Sequence, residues 1–158
     1  MVNSVKNSKP LKELTETDIS IIRELQKDPR SSFRRIAKSL GLAVLTVSNH
    51  VHQLERSNII KGYAVELDYE VLGYNFHVII DVKVQHGKLF FVEKKISEEN
   101  NVHTVLDHTG MTDVTVIARF KDRKGLDQFV KKIQSFPLVE RTETKLILNV
   151  MKQSQTLL

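Results

Sequence analysis

Two helical periods meeting at a single glycine constrain this chain more than any other feature. In residues 31–63, SSFRRIAKSLGLAVLTVSNHVHQLERSNIIKGY, an apolar face of Ile36, Ala37 and Leu40 precedes Gly41. A helix end wants φ > 0 at such a place. A second apolar period runs from Val44 to Arg56, with Val47, Val51 and Leu54 at i, i+4 and i+7. A different stripe carries Thr46, Asn49, His50 and Gln53, again at helical spacing. Their short or planar hydrogen-bonding groups suit base edges in a major groove. One stripe that anchors and another left free, behind a helix and a tight turn, is the arrangement of a helix-turn-helix.

Charge collects on the same segment. The chain carries a net +5; residues 1–62 hold 11 Lys and Arg against 6 Asp and Glu, and residues 63–158 hold 13 against 13. Counterion release supplies much of the affinity of a phosphate-binding surface, so basic charge belongs where DNA docks. Arg30, Ser32, Arg34, Arg35, Ser48 and Arg56 are the candidates for phosphate; Thr46, Asn49, His50 and Gln53 are those for bases. A solvated Lys-rich surface is the plainer source of charge when charge is taken alone. The lack of Cys excludes disulfides and Cys-based metal sites and fits a reducing compartment. The first ten residues are polar, and no apolar run is long enough to span a bilayer. The expectation is a cytoplasmic, nucleoid-associated protein with double-stranded DNA as partner and no membrane.

Along the chain, residues 1–13 lack periodicity and read as a flexible basic arm. Residues 14–62 make the helix-turn-helix domain. Thr17 is the expected N-cap of a first helix through Lys27, with Ile21, Ile22 and Leu25 inward; Asp28-Pro29 stops it. Ser31 or Ser32 caps the second helix, and Ile59, Ile60 and residues 63–67 are expected to add a strand or wing. Residues 63–74 serve as linker strand and hinge. Beyond it the period changes from 3.6 to 2: Phe76, Val78, Ile80, Val82 and Val84 alternate as a strand with one buried face. A helix over 88–99 turns Leu89, Val92 and Ile96 inward, and strands over 102–108 and 114–120 meet around Gly110. Leu126, Phe129, Val130 and Ile133 mark a helix stopped before Pro137, and a last strand over 139–151 sets Leu146, Leu148 and Val150 on one face.

The fold class is therefore α+β: an N-terminal winged helix-turn-helix of three helices, then a ferredoxin-like βαββαβ domain over residues 75–158. Helices cover only one face of such a sheet, and dimerisation is the simplest cover for the other. Strand alternation places His103 and Asp107 on one face and His108 on the other. With no Cys and no HExxH, no metal site is expected. His50 and His52, two apart on a helix, do not face each other, and His77 and His86 read as packed or solvated. No nucleophile–base pair, phosphate-binding Gly loop or paired-carboxylate cleft stands out, so the chain is expected to be no enzyme and to need no cofactor.

Several local patterns bear a family stamp. They are DxxIIxxL at residues 18–25, DPRSSFRRIAKSLG at 28–41, TVxxxVxxLExxxII at 46–60 and KGY at 61–63. In the second domain stand Gly110-x-x-Asp113 and, after Pro137-x-Val139, Thr142-x-Thr144. In order and spacing the chain resembles the Lrp/AsnC, or feast/famine, family of transcriptional regulators over roughly residues 14–152. The resemblance implies a DNA-binding dimer that assembles into tetramers or octamers and binds an amino acid where dimers meet. It places the effector at Gly110, Met111, Asp113, Thr142 and Thr144. A zwitterion needs an anion for its ammonium, which Asp113 offers, and donors for its carboxylate, which the Thr hydroxyls and the backbone around Gly110 offer.

The chain departs from the family pattern at Ala43, where a capping Ser or Thr is common, and at Asn49 and His50, often Arg. Leu138 replaces a usual Gly. Loss of the cap costs about 1 kcal/mol and leaves the helix to packing or to contact with DNA. Two other readings stay open. One is a metabolite-sensing or oligomerisation module that does not touch DNA. The other is an enzyme like the sirohaem decarboxylases, which resemble this family; His77, His103 and His108 leave it open, and the basic helix-turn-helix argues against it.

Overall fold

A computed structural model describes residues 13–85, 87 and 89–152. The basic arm, apart from Glu13, and His86 lie outside the described residues. The chain divides between Val65 and Glu66 into two units.

The first unit holds α1 (Glu16–Lys27), α2 (Phe33–Leu40) and α3 (Val44–Arg56). Thr15, not Thr17, caps α1. Its hydroxyl accepts from the Asp18 N–H, and the Asp18 carboxylate accepts from the Thr15 N–H at 2.9 Å and from the Thr15 hydroxyl at 2.7 Å. This reciprocal box needs a side-chain acceptor three residues after the cap, which Thr15-x-x-Asp18 supplies. The helix stops at Asp28, as the Asp-Pro pair requires. Ser32 caps α2, and Gly41 ends it at φ 67°, the left-handed region that favours glycine. No side chain caps α3, because Ala43 has none to offer. Ile21, Leu25, Ile36, Ala37, Val47 and Val51 form the core, with Phe33, Leu40, Leu42 and Ile60 packed on its rim. The strand or wing expected over residues 63–67 does not form. Tyr63, Val65 and Leu67 are exposed, and among the described residues no strand lies beside them to pair.

The second unit is a four-stranded antiparallel sheet in the order β2-β3-β1-β4: β1 is Phe76–Val84, β2 Val102–Asp107, β3 Val114–Phe120 and β4 Val139–Leu146. Helices α4 (Leu89–Ser97) and α5 (Arg123–Gln134) cover one face. Strict alternation buries Val78, Ile80, Val82 and Val84 with Val114, Val116, Ala118 and Phe120 against Val92, Ile96, Phe129 and Ile133. The last strand is shorter than the sequence suggests. Among the described residues after Leu146, the Ile147 N–H alone still makes a backbone bond, to the His77 carbonyl at 2.8 Å. The partner strand has run out, since β1 begins at Phe76, two residues beyond the Val78–Leu146 pair. Leu146, Leu148 and Val150 are left exposed.

A bulge between Val102 and Thr104 corrects the strand arithmetic for the histidines. His103 turns to the uncovered face, where its ring lies 5.8 Å from that of His77. Asp107 pairs with Val114 on the helix-covered side. His103 and Asp107 therefore do not share a face.

Candidate nucleic-acid interface and effector loop

Helix α3 is held by Val47, Val51 and Leu54, all buried. At roughly 100° per residue the stripe opposite this seam is Leu45, Asn49, His52 and Arg56, with Gln53 beside it. All five are exposed. Thr46 and Ser48 are half-buried at the edges of the stripe. His50 does not join it. Its Nδ1 lies 2.7 Å from Asp18 Oδ1 on α1, and Asp18 is only 7% exposed. Burial alone would raise the Asp18 carboxyl, but the bonds from His50 and Thr15 outweigh it and hold the group below its ordinary range. One carboxylate thus closes the cap of α1 and fixes the rotation of α3.

Reading the sequence as a polar stripe missed Leu45, His52 and Asp18. The signal for Leu45 and His52 was present: counting around the helix from the centre of the apolar seam, rather than collecting polar residues, points to them. The partner of His50 lies 32 residues away, beyond any local period.

The basic residues divide similarly. Arg30, in the turn before α2, and Arg34, in its first turn, are exposed. Arg35 Nη1 meets Asp28 at 2.9 Å in an exposed pair, an interaction weak enough to yield to another anion. Ser32 is committed as the cap, accepting from the Arg35 N–H at 3.3 Å. Arg56 Nε donates to the His52 carbonyl at 3.1 Å and remains exposed.

In the second unit, Gly110 has φ 139°, in the region that favours glycine, and Met111 beside it is 86% exposed. The Asp113 carboxylate is already engaged: Val84 N–H donates to Oδ2 at 2.8 Å and Lys83 Nζ to Oδ1 at 3.1 Å. The Asp113 N–H also donates to the Val82 carbonyl at 3.0 Å. Thr142 pairs with the same Val82 from the other side and accepts from Gln134 Nε2 at 2.8 Å; Thr144 pairs with Ile80. Asp113 and Thr142 therefore flank one residue of β1, about 10 Å apart at strand spacing. An ammonium arriving at Asp113 meets a carboxylate that Lys83 already neutralises.

The uncovered sheet face carries a chain of polar contacts that the sequence did not reveal. Lys145 Nζ donates to Asp81 Oδ2 at 2.7 Å, the Thr115 hydroxyl donates to Asp81 Oδ1 at 2.5 Å, and His108 Nε2 lies 2.9 Å from that hydroxyl. Burial pushes the Asp81 carboxyl up, but Lys145 and Thr115 outweigh this and hold it below its usual range. Four residues earlier on the same strand, burial first, then Arg119 and His103, hold His77 below the usual imidazole range. Among the described residues no three His, Asp or Glu side chains stand close enough to hold a metal ion. No described helix is long and apolar enough to cross a membrane.

This geometry has close counterparts. The winged helix-turn-helix DNA-binding family matches residues 14–61, and the Lrp/AsnC ligand binding domain matches residues 77–157. An uncharacterized HTH-type transcriptional regulator of Pyrococcus abyssi is 41% identical over 140 residues, covering 89% of this chain and 95% of its own. The HTH-type transcriptional regulator FL11 of Pyrococcus horikoshii is 35% identical over 144 residues, covering 91% and 95%. Among solved structures, LrpC of B. subtilis superposes with a TM-score of 0.81 at 25% identity, covering 90% of this chain and 99% of that one. The L-Met complex of a transcriptional regulator from Neisseria meningitidis shares the fold with a TM-score of 0.84 at 24% identity, covering 91% and 96%. A basic helix-turn-helix with an exposed polar face on its last helix, followed by a domain of this topology, thus has a settled place: the chain belongs to the Lrp/AsnC family of HTH-type transcriptional regulators.

Proposed function

We propose that the protein binds pseudo-palindromic DNA as a symmetric dimer, with α3 of each copy in the major groove. The observation that carries this reading is the rotation of α3. Asn49 and Gln53 are exposed while Val47, Val51 and Leu54 hold the opposite side. Asn49 and Gln53 read bases, since both amides match adenine bidentately. Arg30, Arg34, Arg35 and Arg56 hold phosphates, with Ser32, Thr46 and Ser48 at the margin of the contact. His50 acts through Asp18, fixing the helix that carries the readers. No catalytic step is assigned to any residue.

Dimerisation, and further assembly into tetramers or octamers, rests on surface that one chain leaves bare. The sheet face away from α4 and α5 carries Ile79 and Ile117 half-exposed, and Leu146 at the end of β4 and Leu148 and Val150 past it stand exposed. The regulator from Neisseria meningitidis was solved with L-Met, and this supports an amino acid as effector. The loop with Gly110, Met111 and Asp113 and the strand with Thr142 and Thr144 are its proposed seat. Because Asp113 is engaged by Lys83, the ligand's ammonium shares that carboxylate rather than meeting it bare.

The test is selection of bound fragments from sheared genomic DNA at two salt concentrations, with and without an amino-acid mixture. A palindromic site that persists at higher salt, and shifts with amino acids, is the expected result. Uniform, salt-labile retention overturns sequence-specific reading, and no retention favours a sensor that does not touch DNA. On the selected site, replacing Asn49 and Gln53 by Ala relaxes base preference, by about 1–3 kcal/mol per contacted base. Replacing Arg34 and Arg35 by Ala weakens all DNA alike and flattens the salt dependence. Equal behaviour of the two pairs sinks the division into readers and holders.

A further inference from the structure

Leu45 is 71% exposed and is the second residue of the reading helix. A leucine so placed is not a core residue that missed its core: the seam of Val47, Val51 and Leu54 lies on the other side of α3. It shares a stripe with Asn49 at i+4, His52 at i+7 and Arg56 at i+11, all exposed and all polar. In a helix-turn-helix the N-terminal residues of the reading helix come nearest the base edges. The one apolar feature that a base pair displays in the major groove is the thymine C5-methyl group.

We propose that Leu45 is a specificity-determining residue that packs on a thymine methyl group in each half-site. This rests on the reading that α3 docks in the major groove. The excess of basic residues over residues 1–62 argues for DNA, rather than another protein, as the surface covering this leucine. The division of labour is physical. The amides of Asn49 and Gln53 distinguish bases by donors and acceptors, and an aliphatic side chain distinguishes thymine from cytosine by excluding water from a methyl group. Its neighbour Val44, 46% exposed, widens the same apolar spot at the start of the helix.

The experiment uses the full chain and a duplex recovered by selection from random DNA. The same duplex is also prepared with dUTP in place of dTTP, which removes every thymine methyl and leaves all hydrogen-bonding groups. Wild-type protein should bind the uracil duplex about fourfold more weakly per contacted methyl, the worth of burying one such group. Leu45→Ala should bind thymine DNA as weakly as the wild type binds uracil DNA, and should not distinguish the two. Leu45→Gln, a good helix former at this exposed position, should behave as Leu45→Ala does. Equal wild-type affinity for both duplexes, or full thymine preference retained by Leu45→Ala, overturns the inference while DNA binding stands. Failure to bind any duplex overturns the docking of α3 and this inference with it.

Discussion

The two units of this molecule solve the same problem with different means. In the sheet unit the β1 residues Val78, Ile80 and Val82 and the β3 residues Val114, Val116 and Ala118 are wholly buried against α4 and α5. The three-helix unit has a smaller core, with eight buried hydrophobic residues against twelve in the sheet unit among those described, and leans on polar devices at its helix ends. These are the Thr15–Asp18 box, the Asp18–His50 bond, the Ser32 cap and the left-handed Gly41. A strand pair buries residues by simple alternation, whereas short helices expose unpaired N–H and C=O groups at every end and must satisfy them. The reading helix therefore sits where single polar substitutions count most.

That contrast can be broken at four places. Ile80→Ala, at a site with no exposure in the central strand β1, should cost about 2–5 kcal/mol. Hydrogen exchange should show the loss in amides of β1 and β3 well beyond any change in α3. Equal loss in both units would mean that the two cores are not separate.

Asp18→Ala should cost about 1–3 kcal/mol, since it opens the cap of α1 and strands the His50 ring nitrogen. Chemical denaturation followed by α3 amide exchange measures it. The carboxyl is held below its ordinary value of 3.8. Its contribution is therefore complete above that value and fades as pH falls through the depressed native one. Wild-type α3 should loosen in this acid range, and Asp18→Ala should lack that step.

Gly41→Ala should cost about 1–2 kcal/mol from backbone strain alone. Nothing lies within 4 Å of the added methyl group, so packing does not enter. A larger loss by thermal unfolding would reveal a close approach at this turn. Smallest and opposite in sign, Ala43→Ser should stabilise α3 by about 1 kcal/mol by supplying the absent cap. A neutral result would show that the N-terminus of α3 is already satisfied.

Much of the architecture was legible because local periods record it. The limits of α3, the left-handed Gly41, the bare Ala43 and the alternate burial along β1 and β3 follow from the order of residues. The departures were local. Thr15 outcompetes Thr17 as cap because it has Asp18 three residues on, and the bulge at His103 shifts a whole face. The candidate site was legible as a helix but not as an orientation. The sequence reading put His50 among the base readers, and the fold gives it to Asp18.

By itself, the order of residues determined the succession of three helices and then β-α-β-β-α-β, the apolar side of the helices and of β1, and that the basic half is the helix-turn-helix half. Tertiary structure alone decided which polar group meets which: His50 with Asp18, Asp113 with Lys83, and Lys145 with Asp81 and through it Thr115 and His108. The reason is range. A period reports a residue's direction relative to its own helix or strand, which neighbours three or four positions away establish. A hydrogen-bond partner 30 to 64 positions away is chosen only when packing brings two elements together, and packing is a property of the whole unit.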